Sequence, residues 1–159
     1  MMKLDCIAAQ PLIFDSYLEP LNTININSIG IEISNPGHEH NYKSFSKKQI
    51  LSILKLSKFL KKKYNIISKN FLGHSDIAPF RKKDPGEKFP WKYLSKFGIG
   101  DWHSLSQNII KKHRMIKINS SEEKNFYKLL NKIGYTKKIL DKKIFVSAFQ
   151  RKYRQDLIN

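Results

Sequence analysis

At 159 residues, the chain has room for one domain, or one small domain with a short appendage. Its 40% hydrophobic content is enough for a packed core and excludes wholesale disorder. Thirty Lys and Arg against 13 Asp and Glu give a formal charge of +17. That field attracts polyanions such as nucleic acid, anionic lipid or acidic wall polymers, although lysines spread over a solvated surface account for it more simply.

Residues 1–24 are an atypical segment in which Pro11 and Pro20 punctuate short apolar pieces without a sustained period. The start, Met1 to Cys6, has the look of a lipoprotein signal. Asp5 precedes the cysteine, however, and no apolar stretch separates Lys3 from Cys6, so it reads as no signal peptide. Cys6 is the single cysteine, which excludes an intramolecular disulfide. No apolar run is long enough to span a membrane.

Residues 28–34, Ser-Ile-Gly-Ile-Glu-Ile-Ser, alternate strictly and predict a strand. Ile29, Ile31 and Ile33 share a core face, while Glu32 stands on the other face between small residues. Asn35-Pro36-Gly37 ends the strand, and His38 and His40 follow in a polar loop. Ser46 with Gln49 forms a capping box, and Ile50, Ile53, Leu54, Leu60 and Tyr64 predict a helix to about Tyr64. The opposite face carries Lys47, Lys48, Lys55, Lys58, Lys61 and Lys62, with no aromatic interleaved to stack bases.

Asn65–Leu72 predicts a buried strand, and a loop rich in chemical groups runs from Gly73 to Gly86. Pro90 marks a helix start and Gly98 its end, with Trp91 and Leu94 on the core side. Residues 103–119 read as a basic linker. Ser120 with Glu123 predicts a cap for a helix carrying Phe126, Leu129, Leu130 and Ile133, stopped by Gly134. A last helix over about 141–154 lines up Phe145, Phe149 and Tyr153.

His74 and Asp84 stand ten residues apart in a loop pinned by Pro79 and Pro85, which lets their side chains converge. An imidazole and a carboxylate suit zinc, although a lone loop histidine is more often a surface residue. On pattern alone Glu32 is an ordinary solvent-facing strand residue and Lys82 one more surface lysine. Asp76 reads as a turn cap and Trp91 as core.

Several strings in one order change those weights. They are Asn25 to Glu32, Gly73-His74-Ser75-Asp76-Ile77-Ala78-Pro79, Arg81-Lys82, Asp84-Pro85-Gly86, Phe89-Pro90-Trp91 and Gly98-Ile99-Gly100-Asp101-Trp102. Over residues 25–102 the chain resembles the zinc-dependent N-acetylmuramoyl-L-alanine amidases, in particular the branch acting on 1,6-anhydro-muropeptides. Gly134-Tyr135 and Val146 to Arg154 resemble the helical peptidoglycan-binding module of the lipoprotein members.

The resemblance implies an α/β fold, a mixed sheet flanked by helices, with a small C-terminal helical module. It divides the chain into an incomplete amidase core over 25–105, a basic linker over 106–119 and an incomplete module over 120–159. It implies hydrolysis of the amide between N-acetylmuramic acid, or its 1,6-anhydro form, and L-alanine, by zinc-activated water. His74 and Asp84 match zinc ligands, Glu32 the carboxylate beside the activated water, and Lys82 the cation that stabilises the oxyanion. Asn25, Ala78 and Arg81 match substrate contacts. The implied partners are peptidoglycan or muropeptides, and the implied compartment is the cell envelope or periplasm.

One departure stands out. The family's first zinc histidine lies on an early strand, whereas this chain has no histidine before His38. Asp5 and Cys6 are the donors nearest that place, and His38, His40 and His103 the remaining histidines. Residues 1–20 are too few for the family's opening strand and helix, so the chain reads as N-terminally truncated, its sheet left with an unpaired edge. Two ligands hold zinc loosely, and the expectation is weak binding with little turnover. The rival readings are a catalytically impaired wall-binding remnant and, from charge alone, a basic nucleic-acid-binding protein.

Overall fold

Isoleucine alternating with small and polar residues suits a strand covered on one side only. In the computed structural model, which describes residues 3–9, 28–133, 135 and 142–158, strand β2 spans Ile29–Asn35. Its burial alternates as the sequence requires, with Ile31 and Ile33 buried and Gly30, Glu32 and Ser34 exposed. Asn25 and Gly134 lie outside the described residues.

Strand β1, Lys3–Ala9, forms in the opening segment whose sequence shows no sustained period. It is the middle strand of three and pairs antiparallel with both neighbours, in the order β2-β1-β3. β3 is Phe71–Gly73, shorter than the strand expected over 65–72, because a single 3-10 turn occupies Ser68–Asn70. The register sets Cys6 opposite Glu32 and Ile7 opposite Gly73. β2 and β3 therefore run parallel to each other with β1 between them.

Helix α1, Lys47–Tyr64, starts on the expected capping box, Ser46 with Gln49, and ends where Asn65 takes a left-handed conformation. The Gln49 side chain also donates to the Ser34 carbonyl at 2.7 Å, tying the helix start to the end of β2. Ile50, Ile53, Leu54 and Leu60 join Ile31 and Ile33 in one core with Ile66, Phe71, Phe89, Trp91, Leu94 and Ile99. This is the packing the two periodicities predict. Tyr64 stays outside the core, 40% exposed.

Lys61 leaves the solvated lysine face. Its ammonium donates to Ser68 Oγ at 2.9 Å and to the Gly98 carbonyl at 2.6 Å. Gly98 has φ +71°, a left-handed conformation that favours glycine, and its carbonyl is the one Lys61 reaches.

Helix α2 is a single turn, His74–Ile77, and α3 spans Trp91–Ser95. The expected linker contains a helix instead: α4, Gln107–Arg114, capped by Ser106. It buries none of its residues, which is why no apolar stripe announced it. Helix α5, Ser120–Lys132, is capped by Asn119 with Glu122, one residue before the expected pair. Of its expected stripe, Leu130 is buried, while Leu129 and Ile133 are exposed.

Helix α6, Lys142–Tyr153, brings Phe145 and Ala148 onto Leu130 and Tyr135 to form a second, smaller core. Among the described residues, no helix is long and apolar enough to cross a membrane.

Candidate active site

β3 delivers the chain to the site, and Gly73 makes the turn possible. A Cβ on Gly73 would sit 2.5 Å from Pro85 Cδ, so the two ends of the 73–85 loop meet as closely as backbone allows. Ser75 N donates to the Asp84 carbonyl at 2.9 Å, closing the loop. With both ends pinned, His74 Nδ1 and Asp84 Oδ2 lie 2.7 Å apart. The two side chains are 33% and 15% exposed, so both groups remain within reach of solvent.

Behind Asp84 stands a brace that the sequence did not disclose. Tyr42 donates its hydroxyl to the Pro85 carbonyl at 2.6 Å and accepts from Lys88 N at 3.0 Å. His38 stacks on Tyr42 at 4.4 Å between ring centroids and meets Glu87 Oε2 through Nε2 at 2.9 Å. Gly86, at φ +80°, passes under both rings, where a Cβ would come within 2.6 Å of the Tyr42 hydroxyl oxygen. His38 therefore serves the loop's scaffold. The only sequence hint was a tyrosine and a histidine in one polar loop, facing no visible partner.

Asp76 is a structural cap, as read, and more besides. Its Oδ2 accepts from Gly73 N at 2.9 Å, and its Oδ1 accepts from the Tyr135 hydroxyl at 2.8 Å. Lys152 Nζ donates to Oδ2 at 2.9 Å, with the two side chains 5% and 7% exposed. Burial alone would push the Lys152 ammonium down, but the charges of Asp76, Tyr153 and Asp101 and the hydrogen bond to Asp76 leave it raised. Burial and the neighbouring Asp76 carboxylate push the Tyr135 hydroxyl well up.

Glu32 is exposed on β2. β1 lies between it and β3, so its backbone is about 10 Å from the end of β3 at two strand spacings. Arg81 and Lys82 are exposed, their amides held by the Ala78 carbonyl at 3.0 Å each, and Ala78 is buried. A cavity of about 790 Å³ lies elsewhere, lined by Trp102, His103, Arg114, Tyr153 and Arg154 among others. It contains none of His74, Asp84, Glu32 and Lys82. The His103 imidazole there is pushed down by burial and by Lys92.

Imidazole nitrogen and carboxylate oxygen are the donor types zinc takes, and His74 with Asp84 fits as two members of such a set. Among the described residues, no third His, Cys, Asp or Glu joins them in a cluster able to hold a metal.

Comparison with known proteins agrees with this loop and its strand. Residues 7–87 match the family model of N-acetylmuramoyl-L-alanine amidase, and the chain belongs to that family. It is 31% identical over 145 residues to the N-acetylmuramoyl-L-alanine amidase AmiD of Escherichia coli, covering 86% of this chain and 52% of AmiD. It is 40% identical over 70 residues to the 1,6-anhydro-N-acetylmuramyl-L-alanine amidase AmpD of Haemophilus influenzae, covering 43% of this chain and 36% of AmpD.

Among solved structures, AmiD from E. coli bound to anhydro-N-acetylmuramic acid-L-Ala-D-γ-Glu-L-Lys superposes with a TM-score of 0.61 at 29% identity, over 76% of this chain and 48% of that one. AmpDh3 from Pseudomonas aeruginosa, in complex with anhydromuramic pentapeptide, gives 0.59 at 30% identity, over 73% and 48%. The chain thus spans about half the length of AmiD and has the α/β fold of these enzymes.

Proposed function

We propose that the protein hydrolyses the amide between N-acetylmuramic acid, or its 1,6-anhydro form, and the L-alanine of the stem peptide. The observation that carries this is the meeting of His74 and Asp84 at 2.7 Å in the loop shared with the amidases. Zinc held by these two residues would supply Lewis acidity to water at the scissile carbonyl. Glu32, a solvent-facing carboxylate, takes the proton from the attacking water and returns it to the departing alanine nitrogen. Lys82 places an ammonium beside the negative oxygen that develops as the carbonyl carbon becomes tetrahedral. Arg81 and Asn25 bind substrate, with Ala78 under the loop. Peptidoglycan fragments are the substrate, and the cell envelope is the working compartment.

The test pairs calorimetric zinc titration with cleavage of an anhydro-muropeptide by the 159-residue chain. His74→Ala and Asp84→Ala should each abolish zinc binding. Glu32→Gln should keep zinc and lose about 10²–10⁴-fold in turnover. Zinc binding that survives both ligand substitutions would overturn the site.

A second reading has its own support. His38 is engaged by Glu87 and Tyr42, and the metal-holding cluster has two members among the described residues. A wall-binding protein without turnover would co-sediment with peptidoglycan, hold less than one zinc and release no peptide.

A further inference from the structure

Two groups from outside the loop converge on one carboxylate inside it. Asp76 stands two residues after His74, in the turn that His74 begins. Its Oδ2 fixes Gly73 N, the amide immediately before His74. The same carboxylate is gripped by Tyr135 and by Lys152 on the C-terminal helix α6. Farther along the loop, the Phe80 ring meets Phe145 of α6 edge-on, with centroids 5.0 Å apart. Gln155, just past α6, donates to the Phe89 carbonyl at 2.7 Å. The loop that carries His74 and Asp84 is thus held from one side by the Tyr42 brace and from the other by the C-terminal helix.

A buried ion pair is a poor source of net stability, because desolvating both charges roughly cancels their attraction. What such a pair does well is fix orientation, since any displaced geometry leaves a charge unpaired in a dry site. Here the orientation fixed is that of the Leu72–Gly73 peptide, one residue ahead of His74. We propose that Lys152, with Tyr135, is a positioning residue for the metal-binding loop. It acts through Asp76 to set the direction of His74, so that α6 belongs to the frame of the catalytic site. This rests on the reading of His74 as a zinc ligand.

The experiment uses the full chain and two variants. Lys152→Met removes the charge and keeps much of the side-chain volume. Tyr135→Phe removes a single hydrogen bond and keeps the ring. Outer partners of metal ligands typically contribute about 10–100-fold in metal affinity. Lys152→Met should therefore weaken zinc binding about tenfold or more, and Tyr135→Phe less, with cooperative unfolding retained.

In the metal-free chain, the Gly73 amide should exchange faster with solvent and the His74 ring resonances should move. Those two readouts do not depend on zinc. His74→Ala is the control that separates the two ideas. If it leaves zinc affinity unchanged, the ligand assignment fails, and the Gly73 and His74 signals still decide the positioning role. Unchanged Gly73 exchange and unchanged His74 resonances in both variants would overturn the proposal. So would unchanged zinc affinity in Lys152→Met alongside a loss in His74→Ala.

Discussion

Leu54 stands where α1 crosses the isoleucine face of β2, buried beside Ile31, Ile33 and Ile53. Truncating it removes buried methyl groups and leaves a cavity that the surrounding side chains fill only in part. Leu54→Ala should cost about 2–5 kcal/mol. An unchanged melting temperature would mean that α1 does not pack here. Leu51, in the same helix, is 57% exposed, and its alanine variant is the matched comparison with little effect expected. Lys61 shows the limit of reading residues singly. Its partners, Ser68 and Gly98, are 7 and 37 positions away, and nothing in a lysine-rich helix sets it apart from its exposed neighbours.

At the scale of elements, periodic segments were legible and non-periodic ones were not. β2, α1 and α6 announce themselves because one face of each is buried and their apolar spacing records it. The convergence of His74 and Asp84 was legible from the family strings, with Pro79 and Pro85 pinning the loop between them. β1 escaped notice because what places it is backbone pairing to strands on both sides, which leaves no mark in residue type. α4 escaped because it buries nothing. The Tyr42 brace and the Asp76–Lys152 pair depend on residues 43 and 76 positions apart, a reach no local pattern carries.

The docking of α6 has a pH signature. The Lys152 ammonium and the Tyr135 hydroxyl both have raised values in the folded chain. Each contributes stability that is complete below its unfolded value, about 10.4 for lysine and about 10 for tyrosine, and is lost as pH rises through the folded value. Stability followed by denaturant unfolding should therefore hold up to about pH 10 and fall beyond it, and should fall less in Lys152→Met. A decline in this difference between pH 7 and 9 would contradict the pairing.

For the molecule as a whole, the charge of +17 works against compactness. Self-repulsion among lysines is long-ranged, and salt screens it over about 10 Å at 0.1 M. Adding sodium chloride from low to moderate concentration should raise the melting temperature, whereas a fall would show that surface ion pairs outweigh repulsion. The same salt series separates charge-driven adhesion from recognition. Binding to DNA should collapse with salt as counterion release requires, while capture of a muropeptide in a shaped site should persist.

The Lys152 ammonium that grips Asp76 also lies 4.6 Å from the centre of the Trp91 ring, on an indole that is 2% exposed. The second of the chain's two tryptophans, Trp102, faces Tyr153 of α6, with ring centroids 5.6 Å apart. Both tryptophans therefore sit against the C-terminal helix, and its departure would wet one indole face and part the other from its tyrosine neighbour. The colour of the emitted light then follows α6 in real time, and no label has to be attached.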